Sequence, residues 1–327
     1  PAETRWADVA FARSMCERIG RQLVGVGTTA IAAYATSHTE STQVAIDTLG
    51  AMGFSGIVGQ VLMDQFGPSE LLVPADRAIA GCSSLAPKDR IDPAINPRFA
   101  VSCSMPLMKA AAQLARTAGW WLQTHLAETH AEIETVRRLH GAEYVAVYAE
   151  AGLLTNRTLL AHGVHLSDDD LSCLHAHRSV IAHCPTANRF LVAGSMNWDR
   201  TAASGIRVSL GTDVAGGPDR SMVRVARAML ENRVARRCLS GRDEPDSSGG
   251  SASQAWWQIT RGNAETLGLR DIGHLAPGAR ADIVVIRPDL PAASAGDPLG
   301  PIVYAWDDRW IEAVLIAGRV FDPSVRT

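Results

Sequence analysis

Short apolar and β-branched runs alternate along this chain with longer segments of helical spacing, and that alternation restricts the fold more than any other feature. The strand-like runs are VGTTAIAAYA (26–35), SGIVGQVLM (55–63), RIDPAIN (90–96), WWLQTHL (120–126), TLLAHGV (158–164), SVIAHC (179–184) and IRVSLGTD (206–213). One intervening segment, HAEIETVRRLHG, shows the helical grammar: Ile133, Val136 and Leu139 share a face, Glu134 can pair with Arg138, and Gly141 suits the stop. The rhythm predicts an α/β fold of the TIM-like (β/α)8 barrel type, with seven strands in hand where the barrel needs eight.

Two later runs, ADIVVI (281–286) and IEAVLIAGRVF (311–321), follow without an obvious helix between them and read as strands of a small accessory β-sheet. The expected domains are therefore a barrel over 1–280 and the accessory strands over 281–327. GRDEPDSSGGSAS (241–253) has no apolar period and reads as a loop.

The chain is 46% apolar and 20% charged, with no uninterrupted apolar stretch near the roughly 18 residues of a membrane span. A net charge of −3 offers no basic surface for nucleic acid, so a small molecule is the better partner. The six cysteines, Cys16, Cys82, Cys103, Cys173, Cys184 and Cys238, form no C-x-x-C pair and read as reduced core thiols of a cytoplasmic protein.

In a barrel of parallel strands chemistry gathers at the C-terminal strand ends. Those ends carry His38, Asp64, Arg98, His125 with Glu128, His162 with His165, His183 and Asp213. A single histidine near a strand is usually a hydrogen-bonded core residue, but titratable groups at seven successive ends point to a shared site. Histidine and aspartate suit zinc, which lowers the pKa of a bound water toward about 7, and a nearby carboxylic acid such as Glu128 can then carry a proton to a leaving group.

THLAE (124–128), LAHG (160–163), IAHCPTAN (181–188) and LGTDVAGG (210–217) resemble, in order and spacing, the mononuclear zinc aminohydrolase branch of the amidohydrolase superfamily. PRFAVSCS (97–104), GTTAIAAYATSHTEST (27–42), VLMD (61–64) and DDRWIEAVLIAGR (307–319) are similar to the guanine deaminase family within it. The resemblance implies hydrolytic deamination of guanine to xanthine and ammonia, one Zn2+ per site and a homodimer. It implies His125 and Asp213 as metal ligands, with Asp213 also accepting a proton from the attacking water. Glu128 becomes the proton shuttle, His162 a contact to water or substrate, and Arg98 and Phe99 the purine-binding pair. It leaves the roles of His183, His38 and Asp64 open.

The family's first strand ends in a His-x-His pair that supplies two further metal ligands, and the only literal match here, His175-Ala176-His177, falls at the end of an apparent helix. The resemblance therefore predicts that the chain lacks the family's N-terminal segment, first strand included, and that its activity as given is doubtful. Two alternatives stay open: a related aminohydrolase of another purine, pterin or triazine, and a catalytically dead barrel serving as a binding or oligomerisation module.

Overall fold

The seven barrel-type runs all form strands: β1 (Ala30–Tyr34), β2 (Ser55–Leu62), β3 (Arg90–Pro97), β4 (Trp121–Leu126), β5 (Thr158–His162), β6 (Val180–His183) and β7 (Arg207–Leu210). Their order in the sheet is sequential, β1 through β7, the order of a (β/α) barrel wall. The computed structural model describes residues 2–240, 250–290 and 298–321, so most of the 241–253 loop lies outside the described residues. The chain divides into two compact units: residues 1–21 with 29–181, and residues 22–28 with 182–327, the division falling inside β6.

In the first unit the strands pair in parallel, and the register aligns their C-terminal ends: Leu62 lies opposite Pro97, and His125 and Leu126 opposite Ala161 and His162. Apolar side chains such as Phe54, Leu62, Ile91, Ile95, Leu122 and Leu126 are buried, each contributing about 1.5–3 kcal/mol. The sheet also buries amides. Gln123 donates to Asn96 Oδ1 (3.2 Å) and to the Ala33 carbonyl (3.1 Å), and Asn96 donates to the Gly59 carbonyl (3.2 Å). Asn96 occupies the space a Cβ at position 59 would need, 1.9 Å from its Oδ1, which is why β2 carries a glycine there.

Helices fill the connections: α1 (Val9–Val24), α2 (Thr39–Ala51), α3 (Ala75–Ser83), α4 (Met105–Ala118), α5 (His130–His140), α6 (Tyr144–Ala151) and α7 (Asp168–Ala176). In α5 the expected stop is present, Gly141 in the left-handed region at φ 68°. Two details differ from expectation. Arg137 rather than Arg138 takes Glu134, at 3.3 Å, because Arg138 turns to Thr135 and Arg137 also reaches Glu143. Of the apolar stripe only Val136 is fully buried, while Leu139 is 40% exposed.

The second unit holds, in chain order, α8 (Pro185–Phe190), α9 (Trp198–Ala203), β7 and α10 (Met222–Ser240). The side-chain amide of Asn263 takes both backbone groups of Leu210, at 2.9 Å each, anchoring the end of β7. The accessory strands form an antiparallel sheet, β8 (Ile283–Ile286), β9 (Ile311–Ile316) and β10 (Arg319–Phe321), with β9 central. A helix, Leu299–Ala305, lies between β8 and β9, contrary to expectation. Its sequence LGPIVYA carries Gly300 and Pro301, which argue locally against a helix, yet both sit in the first turn where missing or unpaired N–H groups cost little. No helix among the described residues is long and apolar enough to cross a membrane. All six cysteines are free, and burial pushes Cys82 and Cys103 up to about 12, the character of inert core thiols.

Candidate active site

Each titratable group read from the sequence does lie at or shortly after the C-terminal end of its strand. In the first unit the structure brings four of them together with Phe99 and with one residue the sequence did not single out. His125, near the end of β4, stacks on His162 at the end of β5, with ring centroids 5.3 Å apart. Tyr34, the last residue of β1, meets the His125 ring edge-on at 5.0 Å, and Phe99 meets it at 6.5 Å. Glu128 reaches His162, with Oε2 at 3.7 Å from Nε2. The Arg98 guanidinium lies 4.7 Å over the Phe99 ring and forms no ion pair among the described residues.

The hydrogen bonds of His125 fix what it can do. Nδ1 lies 2.8 Å from the Arg98 carbonyl, which can only accept, so Nδ1 carries the proton and Nε2 presents a lone pair. Burial, helped by the nearby His162 and Arg98, lowers its pKa to about 3 against the opposing effect of the carbonyl bond, so the ring is neutral near pH 7 although one edge stays partly accessible. A neutral imidazole oriented through its other nitrogen by a backbone carbonyl fits a metal ligand. His162 is 1% exposed and, like Ala127 beside Glu128, adopts positive φ (73° and 46°). Non-glycine residues are uncommon there, and such backbone concentrates at functional sites.

Other sequence candidates in this unit have structural employment. Asp64 accepts from the Ser104 N–H (2.7 Å) and hydroxyl (2.5 Å), which anchors the N-terminus of α4. His38 precedes α2, where its carbonyl accepts from Thr42, and its buried Nε2 has no hydrogen-bond partner among the described residues. His165 packs on the exposed His130, ring centroids 3.8 Å apart. His175 and His177 are exposed at the end of α7, as the helix reading of that pair expects.

In the second unit His183 ends β6, is 1% exposed, and faces Trp198 at 6.1 Å. Asp213 follows β7 with φ 52°. The turn after it closes through the Gly217 N–H, which donates to the Asp213 carbonyl at 2.5 Å. A Cβ on Gly216 would sit 2.7 Å from Asp213 Oδ2, and one on Gly217 would sit 2.6 Å from the Thr212 carbonyl oxygen. Both glycines are needed for so close a turn.

Residues 5–321 match the model of the amidohydrolase family. Human guanine deaminase is 31% identical over 99% of this chain and 75% of its own length. This chain is a member of the amidohydrolase family, on its guanine deaminase branch. The solved structure of Escherichia coli guanine deaminase superposes with a TM-score of 0.91 at 30% identity, covering 98% of this chain and 78% of that one. A guanine deaminase from C. acetobutylicum, solved with guanine bound in its active site, gives a TM-score of 0.89 at 28% identity, with the same coverage of 98% and 78%. The amidohydrolase membership and the donor chemistry of His125 together mark a metal-dependent hydrolase with an α/β, TIM-like barrel fold. The one signal for Tyr34 was its place as the last aromatic before a strand end, too common to single out. Sequence reading also passed over Glu132, Tyr144 and Tyr148, which surround the β4 turn; only the Thr129-x-x-Glu132 spacing of a capping box pointed there.

Proposed function

We propose that the protein is a zinc-dependent guanine deaminase that hydrolyses guanine to xanthine and ammonia. The observation that carries this reading is the neutral, carbonyl-oriented His125 beside His162 and Glu128. Its support is the likeness, over 98% of the chain, to an enzyme holding guanine in its active site.

His125 and Asp213 are the proposed metal ligands, within a set that the family completes from a His-x-His pair. Bound zinc would lower the pKa of a water toward about 7. Water adds to the carbon bearing the amino group, and the bond from that carbon to the amino nitrogen breaks. Asp213 takes the proton the water gives up. Glu128 protonates the ring nitrogen beside that carbon, takes the proton of the added hydroxyl as the carbonyl forms and delivers it to the departing amine; the proton held by Asp213 then restores the acid form of Glu128, with His162 at hand to hold the water or the reacting centre. Arg98 donates to O6 and N7 of guanine, and Phe99 packs on the purine; the exposed guanidinium already held over the Phe99 ring is what recommends the pair. A barrel domain over 1–280 with accessory strands after it, a cytoplasmic location and a homodimer belong to the same proposal, the location resting on six free thiols and the dimer on the family.

The test is product analysis with the intact, zinc-loaded protein. Guanine is expected to give xanthine and ammonia in equal amounts, with adenine refused. Turnover of a pterin or triazine in preference to guanine would move the enzyme to another member of the family, and an inert zinc-loaded protein would leave a binding module.

A further inference from the structure

The turn that carries Glu128 is gripped on both sides. Its carbonyls are held by the turn after β5: Leu126 accepts from Gly163 (2.9 Å), and Ala127 accepts from Val164 and His165 (3.2 Å each). Its N–H groups converge on one carboxylate, since Glu132 Oε2 accepts from Glu128 N at 2.9 Å and from Thr129 N at 3.4 Å. The other oxygen, Oε1, accepts the Tyr144 hydroxyl at 2.5 Å. Tyr144 is 3% exposed and packs edge-on against Tyr148, which donates its own hydroxyl to the His125 carbonyl at 2.6 Å.

Helix capping alone does not account for this arrangement. A capping box needs the glutamate only on the N–H of the capping residue, here Thr129, and that is the longer of the two bonds. The shorter goes to Glu128 itself. Nor does a cap need a buried tyrosine on the far oxygen. Two tyrosines of α6 thus hold the backbone of β4 and its turn, Tyr148 at His125 and Tyr144, through Glu132, at Glu128.

We propose that Glu132, held by Tyr144, is a positioning residue for the reaction: it fixes the backbone of Glu128 so that the Glu128 carboxyl stays aimed at His162 and the substrate. The inference rests on Glu128 as the proton carrier of the proposed function. Errors of about 1 Å in such a group cost on the order of 100-fold in rate.

The experiment compares Glu132→Ala, Glu132→Gln and Tyr144→Phe in the intact, zinc-loaded protein, reading kcat and KM for guanine, zinc per chain, and amide exchange of a peptide covering residues 127–131. Glu132→Ala is expected to lower kcat about 10- to 100-fold with zinc retained, to leave KM within about threefold, and to speed exchange in that peptide. Glu132→Gln keeps one acceptor for the Glu128 N–H and is expected to recover kcat to within about fivefold of wild type, the worth of about one net hydrogen bond. Tyr144→Phe removes only the brace and is expected to cost about threefold to tenfold, which keeps the proposal testable if Glu132→Ala does not fold. An unchanged kcat per zinc-bearing chain in Glu132→Ala or Tyr144→Phe overturns the proposal, as does a Gln variant no better than Ala. If the wild type leaves guanine untouched, the proposed function falls, and the exchange measurement still decides the brace: unchanged exchange in Glu132→Ala refutes it, and exchange sped by Ala but not by Gln supports it.

Discussion

Two helices of the first unit begin with the same four-residue device. Thr129-x-x-Glu132 opens α5 after β4, and Ser167-x-x-Asp170 opens α7 after β5, each with reciprocal bonds between the cap and the third helical residue. In the second box Asp170 accepts from the Ser167 N–H (2.9 Å) and hydroxyl (2.8 Å), and the whole device lies toward solvent. In the first, the glutamate is one methylene longer, reaches past the cap to the Glu128 N–H, and offers its far oxygen to a buried tyrosine. Burial raises the Glu132 pKa while the bonds from Tyr144, Glu128 and Thr129 lower it. Identical local grammar therefore serves a helix end in one place and, under the proposed function, a reaction site in the other. What distinguishes them is what packs against the carboxylate.

The largest effect expected from breaking that contrast is at Glu128. Glu128→Gln keeps the shape and the backbone bond to Glu132 but cannot carry the proton, so kcat should fall about 100-fold or more with zinc content unchanged. Zinc lost together with activity would make Glu128 a ligand instead. Near-normal turnover would remove the β4 turn from the chemistry and make the two boxes equivalent.

A smaller effect is expected at Arg98, whose carbonyl orients His125 whatever the side chain is. Arg98→Met therefore separates substrate recognition from metal-site geometry. A bidentate contact to O6 and N7 is worth about 1–3 kcal/mol, roughly 5- to 150-fold in kcat/KM for guanine. Purine analogues lacking O6 should lose much less. Equal losses for all substrates would show that the side chain supports the fold rather than choosing the base.

The depressed pKa of His125 makes a further contrast measurable without substrate. In metal-free protein the folded ring titrates at about 3, below the roughly 6.5 of an unfolded chain. The unfolded state therefore takes up the proton first as pH falls. The contribution of this residue to stability is full above about pH 6.5 and is lost progressively toward pH 3. Urea midpoints measured at pH 7 and pH 5 should differ more in the wild type than in His125→Asn, and equal differences would place the titrating group elsewhere.

Much of this contrast was legible in the residues and part was not. The seven strands announced themselves because runs such as SGIVGQVLM combine β-branched residues with flanking turn residues, and neighbouring strands need only be parallel and sequential to align their ends. His125, Glu128 and His162 were found for the same reason, since strand ends converge once the register is set. The helix at Leu299–Ala305 was missed because Gly300 and Pro301 mask it locally. Glu132 was missed as more than a cap because its decisive partner, Tyr144, lies on the next helix, and nothing in the spacing of twelve residues says that the two side chains meet. Tyr34 escaped in the same way, its neighbour His125 being distant in sequence and close only through the barrel wall.

The smallest expected effect isolates capping from positioning. Thr129→Ala and Ser167→Ala each remove the hydroxyl that accepts from the third helical N–H, at 3.1 Å in both boxes. Each should cost about 1 kcal/mol of stability, read as a shift in the urea midpoint at constant slope. Neither removes the bond from the Glu128 N–H to Glu132, and neither touches Tyr144. Similar midpoint shifts with kcat preserved in both variants would show that the caps are energetically alike and that the grip on Glu128 is a separate function of Glu132. If Thr129→Ala lowered kcat as far as Glu132→Ala while Ser167→Ala did not, the hydroxyl would be holding the turn in place, and the aim of Glu128 would depend on the start of α5 as a whole rather than on one carboxylate.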